Sequence, residues 1–183
     1  MATSKTGSFY LTETIQIPAG SADGTIVQGT IDLGAYVNVP TGQAISIESV
    51  DFVAQNSTNY EARAEGMLAT NGALTFQLAD LNPGTLFLRA DDQSLVASGG
   101  LNIDVVNNVV SHSTDFYPDN FGPASLSEAF MVVNDTLYLT GGNSGALTST
   151  SIVFLTARIR CRVVKLSTKD WMAIAIQSTA ADN

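Results

Sequence analysis

The chain has 183 residues, of which 17 are acidic and 8 basic, for a net charge of −9; this balance argues against nonspecific nucleic-acid binding by the molecule as a whole. Charged residues make up only 14% and hydrophobic ones 45%, so the polar surface rests on Ser, Thr, Asn and Gln, which suits packing against other subunits better than free solution. A single cysteine, Cys161, excludes an internal disulfide and a cysteine-based zinc site, and no apolar run approaches the ~20 residues of a membrane-spanning helix.

In "SFYLTETIQI" the residues Phe9, Leu11, Ile15 and Ile17 alternate with mostly polar neighbours, the period of two that marks a strand with one face inward. The turn-forming stretch from Pro18 to Gly24 ends it. "TIDLGAYVNV" resumes the alternation at Ile31, Leu33, Ala35, Val37 and Val39, which predicts a second strand. In "AISIESVDFV" the apolar positions are Ile45 and Ile47, then Val50 and Phe52. The parity flips across Glu48 and Ser49, which predicts a β-bulge there with both Ile47 and Val50 facing the core.

"NYEARAEGML" fits either a strand or a helical turn, whereas "ALTFQL", "TLFLRA" and "LNIDVV" read as short strands. The stretch from Asn107 to Ala129 is dense in Asp, Asn, Pro and Gly and predicts a surface loop, with room for a short helix after Pro123. The strand pattern returns in "FMVV", "TLYL" and "TSIVFLTARIRCRVVKL". "TGGNSGALTST" lacks the lysine of a phosphate loop and reads as a flexible hairpin connection. The run from Ser151 to Lys165 would extend about 50 Å as a strand, so a bend or bulge is expected within it. "WMAIAIQS" places Met172, Ile174 and Ile176 on one side and Ala173 and Ala175 on the other, predicting a last strand antiparallel to the one before it through "STKD".

About nine strands with no convincing long helix describe an all-β protein, a two-sheet antiparallel sandwich of one domain spanning residues 1–183 with short flexible termini. No internal repeat, linker or low-complexity tract interrupts it.

Catalytic candidates are sparse. His112 is the only histidine; its serine neighbours Ser111 and Ser113 offer poor geometry for a triad, and it reads as an ordinary surface or interface residue. Asp91 and Asp92, like Asp115 and Asp119, match no calcium-loop spacing and read as turn residues. No catalytic residue, metal site or cofactor is expected, and the chain is not read as an enzyme. Phe116, Tyr117 and Phe121 in the central loop are candidate contact residues, and would form a sugar platform if the chain were instead a carbohydrate-binding β-sandwich module.

The clearest feature is "ARIRCRVVK". Arg158, Arg160 and Arg162 share one face of a predicted strand at intervals of ~7 Å, while Ala157, Ile159, Cys161 and Val163 share the other. Cys161 then reads as a small buried core residue. Five of the eight basic residues lie between positions 158 and 169. Two unit charges 7 Å apart repel by roughly 2.4 kcal/mol at an effective dielectric of 20, so a half-buried stripe of this kind requires anions. Carboxylates of neighbouring strands or of another subunit are the expected partners; nucleic-acid phosphate is the alternative. With Lys165, the three arginines form a candidate subunit-interface or anion-facing stripe.

The run from Ile152 to Ile176, together with the strand count and length, resembles the closing strands of single-jelly-roll capsid proteins of small icosahedral viruses. The resemblance implies an eight-stranded jelly roll whose copies assemble into a closed shell, located in the virion; "MATSKTGSFY" shows no apolar h-region, so the chain reads as made in the host cytoplasm without a secretion signal. Its partners would be copies of itself and other virion proteins. One departure is that "MATSKTGSF" holds a single lysine where many such proteins carry a basic arm, so any genome contact would not run through such an arm.

Overall fold

The computed structural model describes residues 3–63, 66–112 and 130–180. In chain order the strands are β1 (Thr3–Ser4), β2 (Phe9–Ile17), β3 (Ile26–Asp32), β4 (Gln43–Asn56), β5 (Gly72–Ala79), β6 (Leu95–Asp104), β7 (Val109–His112), β8 (Phe130–Val132), β9 (Thr136–Ser144) and β10 (Val153–Lys165). One helix, α1 (Thr168–Ala180), follows. All pairings are antiparallel. Sheet A has the order β2–β10–β4–β8, with β1 continuing the β2 edge of β10; sheet B has the order β3–β9–β5–β6–β7. From β2 onward the chain changes sheet at each step except between β5 and β6 and into the added strand β7. That wrapping, with orders β2–β10–β4–β8 and β3–β9–β5–β6, is the jelly roll, a double-sheet solution to covering apolar strand faces.

The inner faces follow from alternation. On β10, Val153, Leu155, Ala157, Ile159, Cys161 and Val163 are buried, and their cross-strand partners Ala54, Val50, Ile47 and Ile45 on β4 join the same core. Sheet B contributes Leu74, Phe76, Leu78, Leu137 and Leu139. Phe52 of sheet A stacks on Phe76 of sheet B with ring centroids 5.7 Å apart. Gly99 and Gly141 stand opposite Phe76 in the register, and a Cβ at Gly141 would run into Leu155. Large residues thus face small ones across the sandwich, the condition for close packing without voids.

The bulge falls where the parity flip predicts. Arg160 pairs with Ser49 and Cys161 with Ile47, so β10 advances one residue while β4 advances two, and Glu48 is the extra residue. Ile47 is fully buried and Val50 packs against the core. The irregularity expected within the long final strand therefore belongs to its partner, and β10 itself runs unbroken for 13 residues.

Other expectations are corrected. The stretch "WMAIAIQS" is helical. Ser167 opens α1: its Oγ accepts from the Asp170 amide (3.2 Å), and its carbonyl accepts from the Trp171 amide. Hydrogen bonding from Ser167, first among the causes, also holds the Asp170 carboxyl below its usual value. Trp171, Ile174 and Ala175, spaced i, i+3, i+4, pack on Ala44, Val133, Val164 and Leu166 at one end of the outer face of sheet A. The second strand begins earlier than expected, at Ile26, and stops at Asp32. There Asp32 accepts from the Gly34 amide at 2.7 Å and the Leu33 carbonyl accepts from Tyr36 and Val37, closing a turn that leaves Ala35 and Val39 exposed. "TLFLRA" is no strand. The side-chain amide of Gln77 both donates to and accepts from the Leu88 backbone, at 2.8 and 2.7 Å, and pins this segment across the outer face of sheet B. "NYEARAEGML" is a loop whose Leu68 bridges Leu147, although residues 64 and 65 lie outside the described ones. Thr140 to Ser144 of the presumed hairpin connection complete β9. Within the predicted central loop, Val109–His112 forms β7 and residues 113–129 lie outside the described ones.

Asp80, just past β5, is buried, with its Oδ1 lacking a hydrogen-bond partner. Burial first, then the nearby Asp92 charge, pushes its carboxyl from 3.8 up to about 6. Between those values the folded state holds a proton that the unfolded state has lost, so stability falls as pH rises through this window and levels off above it. Asp80→Asn is expected to abolish that fall and to stabilise the protein at neutral pH by on the order of 3 kcal/mol. Thermal unfolding of both proteins from pH 4 to 7 checks it; parallel curves would contradict it.

Candidate functional site

The outward face of β10 carries the arginines, because the inward positions between them are committed to the core. Arg158 and Arg160 are exposed and Arg162 is half-buried. The bulge determines what they meet. As the extra residue, Glu48 lies beneath the stripe, its side chain only 9% exposed. Arg160 Nε approaches Glu48 Oε2 at 3.0 Å and Arg162 Nη2 bonds Oε1. Ser8, in the segment between β1 and β2, donates its hydroxyl to both carboxylate oxygens at 3.1 and 2.9 Å.

One buried carboxylate therefore joins two guanidinium groups and the N-terminal segment. The guanidinium groups remain about half exposed, at 51% and 42%, so they stay partly hydrated while the carboxylate is satisfied entirely by charged and hydroxyl donors. The triad carries one net positive charge. On the other side of the strand, burial and then the Glu48 charge push the Cys161 thiol up to about 12, which leaves it protonated and unreactive near neutral pH.

Arg158 stands apart from this triad. Its guanidinium lies 5.5 Å from the centroid of the Tyr10 ring, and its cross-strand neighbours are Thr12 and Asp51. Lys165, at the far end of β10, is exposed opposite Thr3 and Gln43. The structure thus brings Arg160 and Arg162 together and leaves Arg158 and Lys165 separate. The sequence reading named no individual acid; the parity flip that located Glu48 was the signal that could have done so.

The remaining candidates have simpler surroundings. Asp91 forms an exposed ion pair with Arg89 at 3.2 Å, and Asp92 accepts from the amide and hydroxyl of Ser94 in a turn. His112 ends β7 opposite Leu101. Phe116, Tyr117 and Phe121 lie outside the described residues.

No protein-family model and no curated protein matches the chain. Solved structures give low-level likenesses. A chain of the mud crab dicistrovirus cryo-EM structure aligns with a TM-score of 0.39 and 13% identity, over 88% of this chain and 70% of that one. Turnip yellow mosaic virus aligns at 0.29 and 10%, over 88% and 98% of the two chains. Desmodium yellow mottle tymovirus gives 0.29 and 10%, over 88% and 91%. The jelly-roll assignment rests on the strand order, independently of these likenesses.

Arg160→Gln is expected to cost about 1–2 kcal/mol, since Glu48 keeps Arg162 and Ser8. Replacing both Arg160 and Arg162 by Gln should cost about 3–5 kcal/mol, more than the sum of the single changes, because the buried carboxylate then loses both counter-charges. Arg158→Gln should cost under about 1 kcal/mol. Denaturant unfolding of these three variants and of Arg162→Gln measures the coupling; additive values would show that the triad does not act as a unit.

Proposed function

We propose that the chain is a structural subunit that self-assembles into a viral capsid or virion shell, with residues 1–183 as one shell domain and the virion as its location. The observation that carries this reading is the jelly-roll strand order combined with apolar surface left uncovered on the outside. Both inner faces are filled by Ile, Leu and Phe side chains, so whatever the protein binds must meet its exterior. That exterior exposes Met172 and Ile176 on α1 and Val106, Val109 and Val110 at the edge of sheet B. Exposed apolar groups of this size, on a surface with few charges, mark contact with other protein.

The arginine stripe supports a structural role over genome binding. Glu48 offsets one of the three guanidinium charges, which reduces what the stripe offers a phosphate backbone. The recombinant chain is expected to form large particles of uniform size, visible by light scattering and negative-stain microscopy. Monomers alone across a range of salt and pH would overturn the reading. Arg160→Gln should leave any nucleic-acid content of such particles unchanged.

A further inference from the structure

Among the described residues β7 pairs with β6 alone and is an edge strand of sheet B. Native proteins blunt such edges with charge, proline, a bulge or a covering segment. β7 reads Val-Val-Ser-His, with no acidic residue, lysine, arginine or proline, and its register with β6 is unbroken from Leu101 opposite His112 to Asp104 opposite Val109. Apolar exposure is concentrated here. Val106 is 82%, Val109 53% and Val110 44% exposed, so three of the nine exposed large hydrophobic residues among those described fall within five positions. Val109 and Val110 are adjacent on a strand and therefore point to opposite faces, and on each face the valine stays about half exposed. The opposite edge of the same sheet, β3, is different: it exposes no large apolar residue, it carries Asp32, and Glu13 lies against its Gly29.

We propose that β7 is the edge through which two copies of this chain join, antiparallel about a twofold axis, so that sheet B continues from one copy into the next. This rests on the self-assembly reading and names its contact. A second copy is the fitting occupant on three grounds. An antiparallel edge is complementary to itself, because the same strand supplies both the donors and the acceptors of the new ladder. The stretch from Val105 to Ser111 has no formal charge in a molecule of net charge −9, so like-charged copies meet there with little repulsion. A cleft of about 160 Å³ beneath the hairpin, lined by Arg63, Asp104, Ile103, Val105, Val109 and Val110, offers an apolar seat bounded by one charge of each sign for a valine of the facing hairpin. The eight residues from Val105 to His112 would bury roughly 250 Å² on each side, well below the ~800 Å² of a stable isolated pair. The contact is therefore weak alone and holds when repeated alongside others.

Cys161 is the chain's only cysteine and is buried, so an introduced surface cysteine is selectively reactive. Val109→Cys and Val110→Cys should each be compared with Thr30→Cys on β3 under mild oxidation. At least one β7 variant is expected to give covalent dimers in tenfold or greater excess over the β3 control. Val109→Lys should weaken dimerisation in sedimentation at least tenfold while leaving circular dichroism and Tm unchanged. Equal cross-linking at both edges, or cross-linking only when Val110→Cys is mixed with Thr30→Cys, would overturn the twofold contact. Large particles that persist in Val109→Lys would also overturn it and leave the shell reading standing. Cross-linked β7 dimers without particles at any salt or pH would support the contact and sink the shell reading.

Discussion

The pairing of β4 with β10, and the single extra residue it accommodates, is the constraint on which the rest of the molecule depends. These two strands form the middle of sheet A, and each must keep one face apolar along its whole length. Without the extra residue at Glu48, the parity that buries Ile45 and Ile47 would turn Val50, Phe52 and Ala54 outward. Phe52 would then leave Phe76, and the two sheets would lose their aromatic tie. The same insertion places a carboxylate under two arginines and within reach of Ser8. Packing on one side of the sheet and electrostatics on the other thus have a common origin.

Much of this was legible in sequence, because alternation in a half-buried strand is imposed directly by solvent. Phe9 to Ile17, Leu74 to Leu78 and Ala157 to Val163 each read correctly for that reason, and the parity flip at Glu48 located a bulge that no composition argument could. The failures share a cause as well. In "WMAIAIQS" the small and large apolar residues alternate, so a helix apolar on most sides imitates a strand. The Ser167 and Asp170 spacing of a capping box was present and outranked by the period. "TLFLRA" looked like a strand because its residues are apolar, but its backbone partner is the side chain of Gln77, a long-range choice that leaves no local trace. Ala35, Val37 and Val39 alternated by coincidence past a turn set by Asp32. The candidate site was half legible: the stripe and its need for an acid were evident, whereas the identity of the acid depended on three-dimensional register.

The distribution of charge and apolar surface gives the molecule its character. Positive charge is concentrated on one outer face, where Glu48 offsets one of the guanidinium charges from within. Apolar exposure is concentrated elsewhere, at a sheet edge and along a helix.

The order of strands in sheet A also governs when the protein can acquire its structure. β10 lies between β2 and β4, and it pairs residues separated by well over a hundred positions, as in Ile159 with Leu11. During synthesis from the N-terminus, β2 and β4 therefore emerge without the strand that joins them, and the sides that meet β10 stay open until residues 153–165 follow. In sheet B only the consecutive strands β5, β6 and β7 are free to form earlier, since β3 joins them through β9. Such late, long-range closure makes folding slow and leaves nascent or truncated chains exposed to aggregation. The sandwich is therefore incomplete until β10 has been made.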